Sequence, residues 1–279
     1  MSTTPSPAAI ITAITTFYAE IAKQTHINEF DLKYPPPTGW PTIDVAGLLA
    51  SGKTESVIHI LRHIPYFELW WKNAKVLALW DATPIDYTRQ RGPGFMDVTV
   101  HLPGHCVHLT EMNSMWGYNL ILDVENGTIT EYSTVSPNSN PLISETLPQP
   151  QKWLAHTPQP VLWYFETQTR LYARLIRMIV PKDCGEWVGK LLSRTESTRI
   201  TMELLTDDWP LEEWKPDEFE MMKLVVEGAG WERVEGLWYA ANVFNCHLRH
   251  GWPDAFDKDA CRLELVAMED FRDGNRMIE

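Results

Sequence analysis

Residues 101–136 read HLPGHCVHLTEMNSMWGYNLILDVENGTITEYSTVS, and this stretch decides the fold. It contains three runs rich in β-branched and aromatic residues, CVHLTE, YNLILDVE and TITEYSTV, and each run predicts a β-strand. Asn126-Gly127 separates the second run from the third and is typical of a two-residue type I′ turn. The sequence therefore predicts a tight antiparallel hairpin at this point of the chain.

The segments on either side of this stretch are helical or rich in proline. Apolar residues recur at three- and four-residue spacing in four segments, which predicts helices at residues 8–24, 53–63, 161–179 and 258–271. Prolines cluster at residues 34–41 and 137–160, which predicts mostly irregular connections there. The pattern indicates an α+β fold: a mostly antiparallel sheet with flanking helices and proline-rich connections. We expect a single domain over residues 1–279, with the final third, residues 206–279, as a candidate helical extension.

The composition disfavours several classes of partner. The chain has 279 residues and a formal net charge of −13, and its sequence holds no basic patch, so we expect it to bind neither nucleic acid nor membranes. No stretch approaches the roughly 20 apolar residues of a membrane span, and the first residues do not resemble a secretory signal. We therefore expect a cytoplasmic protein whose four cysteines are free thiols.

Residues 47–54, GLLASGKT, match the phosphate-binding pattern G-x4-G-K-[ST] letter for letter. That pattern needs a buried strand immediately before its first glycine, because the phosphates must meet the N-terminus of the following helix. The preceding residues 39–46, GWPTIDVA, are too short and too polar for such a strand. We interpret the segment as a loop before the helix at Lys53, and we expect no nucleotide or other cofactor.

Histidine and cysteine spacing predicts no metal site. The predicted strand at residues 105–111 carries no H-x-H pair on one face, which is the arrangement that strands use to bind zinc. Cys246 and His250 share one face of a predicted helix, but two ligands do not make a metal site. The sequence motifs of hydrolases are also absent, although a Ser/His/Asp triad assembled by the fold stays open.

Several segments, in order along the chain, resemble one family. They are YPPPTGWPTI (34–43), GKTESVIHILRHIPYF (52–67), PGHCVHLT (103–110), LILDVENGTITEY (120–132) and HLRHGWPDAFDKDAC (247–261). On these residues the chain is similar to a group of fungal hypothetical proteins. That group is loosely linked to the SUKH superfamily of yeast cell-wall-synthesis regulators and bacterial immunity proteins. The resemblance implies an α+β fold used for protein binding, and it supplies no catalytic residues. The tryptophan-rich residues 68–80, ELWWKNAKVLALW, depart from the family pattern.

The 13 tryptophans of the chain support one of two functional hypotheses. The first is a cofactor-independent enzyme of fungal-type secondary metabolism, which cyclises, isomerises or rearranges a small, largely apolar or cationic metabolite. In this hypothesis an aromatic pocket binds the substrate, and titratable groups move protons. The pocket residues are Trp70, Trp71, Trp80 and Trp116, and the catalytic residues are His108, Glu111 and Asp86. The second hypothesis is a non-catalytic SUKH-like module that presents acidic and aromatic surface to a protein partner.

Overall fold

A computed structural model describes the chain as two compact units. Unit 1 consists of Met1–Ala22 and Glu29–Gln168, and unit 2 consists of Lys23–Asn28 and Thr169–Glu279. The sequence predicts a single domain, and the two units are a finer division of the chain. The single domain stays a prediction. The residues that the structure describes are 4–68, 75–79, 81–89, 101–114, 117–133, 141–183, 187–194, 205–206, 211–215 and 231–276.

Helices and antiparallel strands occur together, so the predicted α+β fold is confirmed. The α-helices are α1 (Pro7–Lys23), α2 (Val45–Ala50), α3 (Glu55–His63), α4 (Pro141–Thr146), α5 (Val161–Ala173), α6 (Trp231–Arg249) and α7 (Lys258–Arg276). Short 3-10 helices lie at Glu29–Asp31 and Gln149–Ala155. The strands are β1 (Leu32–Lys33), β2 (Tyr66–Phe67), β3 (Lys75–Val76), β4 (Ala82–Pro84), β5 (Cys106–His108), β6 (Thr110–Met112), β7 (Asn119–Asp123), β8 (Thr128–Tyr132), β9 (Gln159–Pro160), β10 (Arg177–Asp183) and β11 (Trp187–Ser193). Within the described ranges, no helix is long and apolar enough to cross a membrane.

Unit 1 contains a four-stranded antiparallel sheet with the strand order β5-β7-β8-β9. Because residues directly opposite each other in antiparallel strands lie on the same face, the register defines two faces. One face is mostly apolar and buried: it carries Val107, Leu120, Leu122 and Ile129, with Glu131 opposite Leu120. The other, called the polar face below, carries Cys106, His108, Asn119, Ile121, Asp123, Thr130 and Tyr132.

The hairpin of β7 and β8 is confirmed, but its predicted turn type is wrong. Asp123 pairs with Thr128, which leaves a four-residue connection in place of a two-residue one. Of the two predicted turn residues only Gly127 has a positive φ, +63°, whereas a type I′ turn needs both. The carboxylate of Asp123 explains the difference. It accepts hydrogen bonds from the backbone N–H of Asn126 (2.9 Å) and from its side-chain Nδ2 (2.8 Å), which fixes the longer loop.

The predicted strand through CVHLTE is broken in two at Leu109. β5 pairs with β7, whereas β6 pairs with β4 in a separate two-stranded sheet. The backbone of Leu109 is hydrogen-bonded on both sides: its N–H donates to the carbonyl of Leu120 (2.7 Å), and its carbonyl accepts from the N–H of Ile85 (2.9 Å). The alternation of faces predicted for residues 105–111 therefore does not hold across the whole segment.

Two predicted helices pack in unit 1 largely as their spacing indicates. The helix predicted at residues 8–24 is confirmed as α1, and the ring of Phe17 lies 5.6 Å from that of Phe165 in α5. α3 begins two residues later than predicted, because the Thr54 hydroxyl caps it by accepting from the N–H of Val57 (3.4 Å). The fully buried apolar residues of these two helices are Ile10, Ile14, Phe17, Ile21, Val57, Ile60 and Leu61.

The helix predicted at residues 161–179 is wrong beyond Ala173. α5 ends there, Leu175 takes a positive φ of +51°, and β10 begins at Arg177. The buried β-branched residues Ile179 and Val180 favour a strand. Pro181 lies where the register with β11 shifts, between Val180 and Asp183, so its missing N–H does not interrupt regular pairing.

The core of unit 2 combines β10 with the last two helices. The predicted helix at residues 258–271 is confirmed as α7. α7 is tied to residues of unit 2 early in the chain, because Arg262 donates to the carbonyls of Thr25 (2.6 Å) and Ile27. The buried core residues are Leu175, Met178, Val180, Tyr239, Ala240, Val243, Phe244, Cys246, Trp252, Cys261 and Leu265.

Candidate functional site

The polar face of the unit 1 sheet is the strongest candidate for a small-molecule site. His108, Asn119 and Thr130 on this face are only 6%, 0% and 4% exposed. Trp153, from the 3-10 helix at Gln149–Ala155, packs here with Cys106 and other buried residues of the face. Burying polar groups costs free energy unless they are hydrogen-bonded, so polar groups in such a position need an explanation.

His108 is the central residue of this face. Neither Nδ1 nor Nε2 has a hydrogen-bond partner among the described residues. The Nδ2 of Asn119 and the Nε1 of Trp153 also lack a hydrogen-bond partner in the described part of the chain. Burial, and secondarily the charge of Lys53, lower the pKa of His108 to about 4. The imidazole is therefore neutral at pH 7 and can accept a proton or a hydrogen bond.

The other two predicted catalytic residues are engaged by cations. Glu111 forms an ion pair with Lys75 (Oε1 to Nζ, 2.7 Å). Asp86 pairs with Arg89 (Oδ2 to Nε, 3.0 Å) and accepts from the N–H and hydroxyl of Thr88 at 2.9 and 2.6 Å. Neither carboxylate is hydrogen-bonded to the His108 ring, so the structure does not join the three residues in one proton-transfer chain. Their catalytic role stays a prediction.

The predicted aromatic pocket cannot be placed, since Trp70, Trp71, Trp80 and Trp116 lie outside the described residues. The structure instead brings Trp153 and Asn119 to the polar face, and neither was predicted from the sequence. A signal for Asn119 was present, because Asn119, Ile121 and Asp123 alternate with the apolar Leu120 and Leu122. Trp153 follows a proline-rich segment, and its position on the sheet depends on tertiary structure.

No strand lies at residues 39–46, as the polar sequence there indicates, but the interpretation of residues 47–54 as a loop is wrong for residues 47–50, which belong to α2. Gly47 lies inside α2, whose N-terminus is capped by the Asp44 carboxylate through the N–H of Gly47 (2.9 Å). Lys53 donates to the carbonyls of Cys106 (2.8 Å) and Pro103 (3.4 Å). The lysine that would bind phosphates in a nucleotide site thus holds the start of β5.

Two groups of side chains in the described residues have metal-ligating atoms within 4.8 Å of one another. The first is His105, Cys106 and Asp123 at the edge of the unit 1 sheet. His105 precedes β5, so the alternation predicted for a strand does not separate it from Cys106. Burial, and then the Asp123 carboxylate, raise the pKa of the Cys106 thiol to about 12, which leaves it protonated at neutral pH.

The second group is Cys246, His250 and Glu264 in unit 2, on two consecutive helical segments. Cys246 and His250 were recognised in the sequence as one face of a helix. Glu264 was not, because it lies on the next helix and reaches them only through the fold.

No family model, no curated protein and no solved structure matches this chain.

Proposed function

We propose that unit 1 is a cofactor-independent enzyme that binds a small molecule against the polar face of its sheet, with His108 as the proton acceptor. The observation that carries the proposal is the His108 imidazole, which is 6% exposed and has no hydrogen-bond partner on either nitrogen among the described residues. Buried polar groups without partners are uncommon in folded proteins, and a bound ligand or a catalytic role is one explanation for them.

The surroundings of His108 limit the chemistry. An imidazole with a pKa of about 4 is neutral at pH 7, so it accepts a proton from the substrate before it can return one. The Nδ2 of Asn119 supplies a buried N–H donor on the same face, suited to a carbonyl or hydroxyl of the substrate. Proton removal and return on a small, largely apolar substrate corresponds to an isomerisation, a rearrangement or a cyclisation.

Native mass spectrometry of the protein purified from its own host tests this proposal. We expect a bound small molecule in near-stoichiometric amount, released on denaturation and identified in the extract. His108→Gln should lose it. His101→Gln is the matched control, because His101 is exposed and belongs to the same segment, and it should retain the ligand. Retention of the ligand by both variants would place the binding elsewhere and refute a role for His108.

The alternative function, a SUKH-like module that binds a protein, is favoured by a different observation. Leu154 and Trp163 of unit 1 are both 50% exposed, and large apolar side chains at the surface are typical of interaction sites. The same purification tests this alternative. Co-purification of one protein partner that is lost in Trp163→Ser, without a small molecule in the extract, would favour the binding module over the enzyme.

A further inference from the structure

Three potential metal ligands, Cys246, His250 and Glu264, lie within 4.8 Å of one another where α6 ends and α7 begins, and Cys261 lies beside Cys246. Cys246 lies in the last turns of α6, and His250 follows it by four residues. Cys261 and Glu264 lie three residues apart in the first two turns of α7. The sulfur atoms of Cys246 and Cys261 are 3.7 Å apart, and the Nε2 of His250 is 2.8 Å from the Oε2 of Glu264.

We propose that these four side chains form a structural zinc site in unit 2, with two thiolates, one imidazole and one carboxylate as ligands. Two thiolates bound to one tetrahedral zinc, at about 2.3 Å each, lie roughly 3.7–3.8 Å apart, which is the separation that the structure shows. A disulfide would need the two sulfur atoms at about 2.05 Å. Thiolate and imidazole ligands together favour zinc over magnesium or calcium, which prefer oxygen.

The loop between the two helices holds the four ligands in place. The carbonyl of His250 accepts from the N–H of Asp257 (2.8 Å), which closes the loop on itself. The carboxylate of Asp257 then accepts from the N–H of Ala260 (3.0 Å) at the start of α7. The indole of Trp252, in the middle of the loop, donates to the carbonyl of Ala173 (2.9 Å). Ligands on helix ends joined by such a fixed loop are preorganised for a metal.

The charge and burial of the group also fit zinc. Cys246 and Cys261 are fully buried, which shields the thiolates, whereas the side chains of His250 and Glu264 are 22% and 37% exposed and give the metal a path from solvent. Two thiolates and a carboxylate around Zn²⁺ leave one net negative charge. Arg249 forms an ion pair with Glu264 and offsets that charge.

The other metal-capable group, at the start of β5, is less suited. Both oxygens of Asp123 already accept hydrogen bonds from Asn126 in the hairpin loop. The next carboxylate, Glu125, is 64% exposed and lies 3.6 Å from His105. Cys106 in this group therefore provides a matched control for the cysteines of unit 2.

Metal binding by the full-length, reduced protein tests the proposal. The protein is stripped with a chelator and titrated with Co²⁺ alone, then with Zn²⁺ alone. We expect one metal per chain, with the intense visible absorption of tetrahedral cobalt and a thiolate-to-cobalt charge-transfer band in the near ultraviolet. Zinc should raise the melting midpoint by about 5 °C or more at a hundredfold excess over its dissociation constant.

Variants assign the ligands. Cys246→Ser and Cys261→Ser should each weaken the charge-transfer band and lower zinc affinity at least roughly tenfold. His250→Gln and Glu264→Gln alter partly exposed side chains, so they keep the test informative if a cysteine variant does not fold. Both should weaken zinc binding while the charge-transfer band remains. Cys106→Ser should bind as the wild type does.

Three outcomes would overturn the proposal: a reduced wild-type protein that binds neither metal, loss of binding in Cys106→Ser, or unchanged binding in His250→Gln and Cys246→Ser. A disulfide between Cys246 and Cys261 in protein purified from its host would also count against it.

Discussion

Replacing His108 with leucine should leave the protein as stable at pH 7, or more stable. Neither ring nitrogen of His108 has a partner in the described part of the chain, so the substitution breaks no hydrogen bond there. It removes a buried polar group whose unsatisfied state costs about 1–3 kcal/mol. We therefore expect the free energy of unfolding to rise by roughly 1 kcal/mol, after allowing for the different shape of leucine. Urea unfolding, monitored through the hydrogen exchange of peptides from β5 and β7, measures the change in the free energy of unfolding of unit 1.

The same variant should remove part of the sensitivity to acid. The pKa of His108 is lowered from 6.5 to about 4 in the folded state, so between these pH values the unfolded state binds more protons. Stability is therefore complete above pH 6.5 and falls as the pH drops towards 4. A pKa difference of one is worth about 1.4 kcal/mol, so the loss reaches about 3 kcal/mol at and below pH 4. His108→Leu should lack this loss.

His247→Leu is the matched control, because burial also lowers the pKa of His247 to about 4. Its Nδ1 donates to the carbonyl of Val243 (2.8 Å), so this variant should lose roughly 1 kcal/mol at pH 7. If His108→Leu instead loses about 2 kcal/mol or more at pH 7, the imidazole makes stabilising bonds and the reasoning about His108 is wrong.

Three further substitutions test other parts of the structure by urea unfolding. Lys53→Met should lower the free energy of unfolding by about 1–2 kcal/mol, because it removes the hydrogen bonds to the carbonyls of Cys106 and Pro103. It should also raise the pKa of His108, which NMR measures, because the charge of Lys53 lowers that pKa. An unchanged pKa would contradict this influence of Lys53. Gly127→Ala should lower the free energy of unfolding by about 1 kcal/mol, because the φ of Gly127 is +63° and the new methyl group would meet Pro5. Glu269→Gln should cost about 2 kcal/mol at pH 7, since the buried carboxylate pairs with Lys190 (3.0 Å) and Lys182 (3.5 Å). Burial acts to raise the pKa of Glu269, but the hydrogen bond with Tyr239 and the two lysines outweigh burial and hold the folded pKa below 4.5. The stabilising contribution of Glu269 is therefore lost as the pH falls below 4.5.

The hairpin shows what a local signal predicts and where it stops. The two β-rich runs, 118–125 and 128–135, predicted the pairing of β7 and β8 correctly, because side-chain type and alternation are properties of each strand. The conformation of the turn depended on a hydrogen-bond acceptor that lies outside the dipeptide Asn126-Gly127. The carboxylate of Asp123, three residues earlier, bonds to Asn126 and stabilises a four-residue loop.

The segment after α5 shows the opposite failure, in which a regular pattern extends past the element. Apolar residues at helical spacing continue to Ile179, but the helix ends at Ala173. Two side chains from residues 23–28 of unit 2 stabilise the strand that replaces it. Gln24 accepts from the N–H of Ile179 (3.2 Å), and the hydroxyl of Thr25 donates to its carbonyl (3.2 Å). These partners lie more than 150 residues earlier in the chain, beyond the range of any local pattern.

The residues of the candidate sites also divide into those that a local pattern reveals and those that only the fold brings together. Cys246 and His250 share a helix face, which the sequence reveals. That Glu264 meets them, and that Cys261 lies beside Cys246, depends on a loop whose length and hydrogen bonds bring two helix ends together. His108 was found by its residue type, but the lack of hydrogen-bond partners on its ring in the described residues is a property of the fold that no residue preference predicts.

A buried histidine with a low pKa is not in itself a sign of function, and unit 2 supplies the counterexample. His247 is as buried as His108, but it bonds to Val243 and its ring stacks on Phe256 at 5.7 Å. These contacts hold the ring in place, although its Nε2 has no hydrogen-bond partner among the described residues, and burial together with the charge of His250 lowers its pKa. His108 has the same pKa without hydrogen bonds to its ring in the described residues. The comparison isolates the property that supports a binding role. It is the unsatisfied ring in a polar surrounding, and not the titration, that favours a ligand at His108.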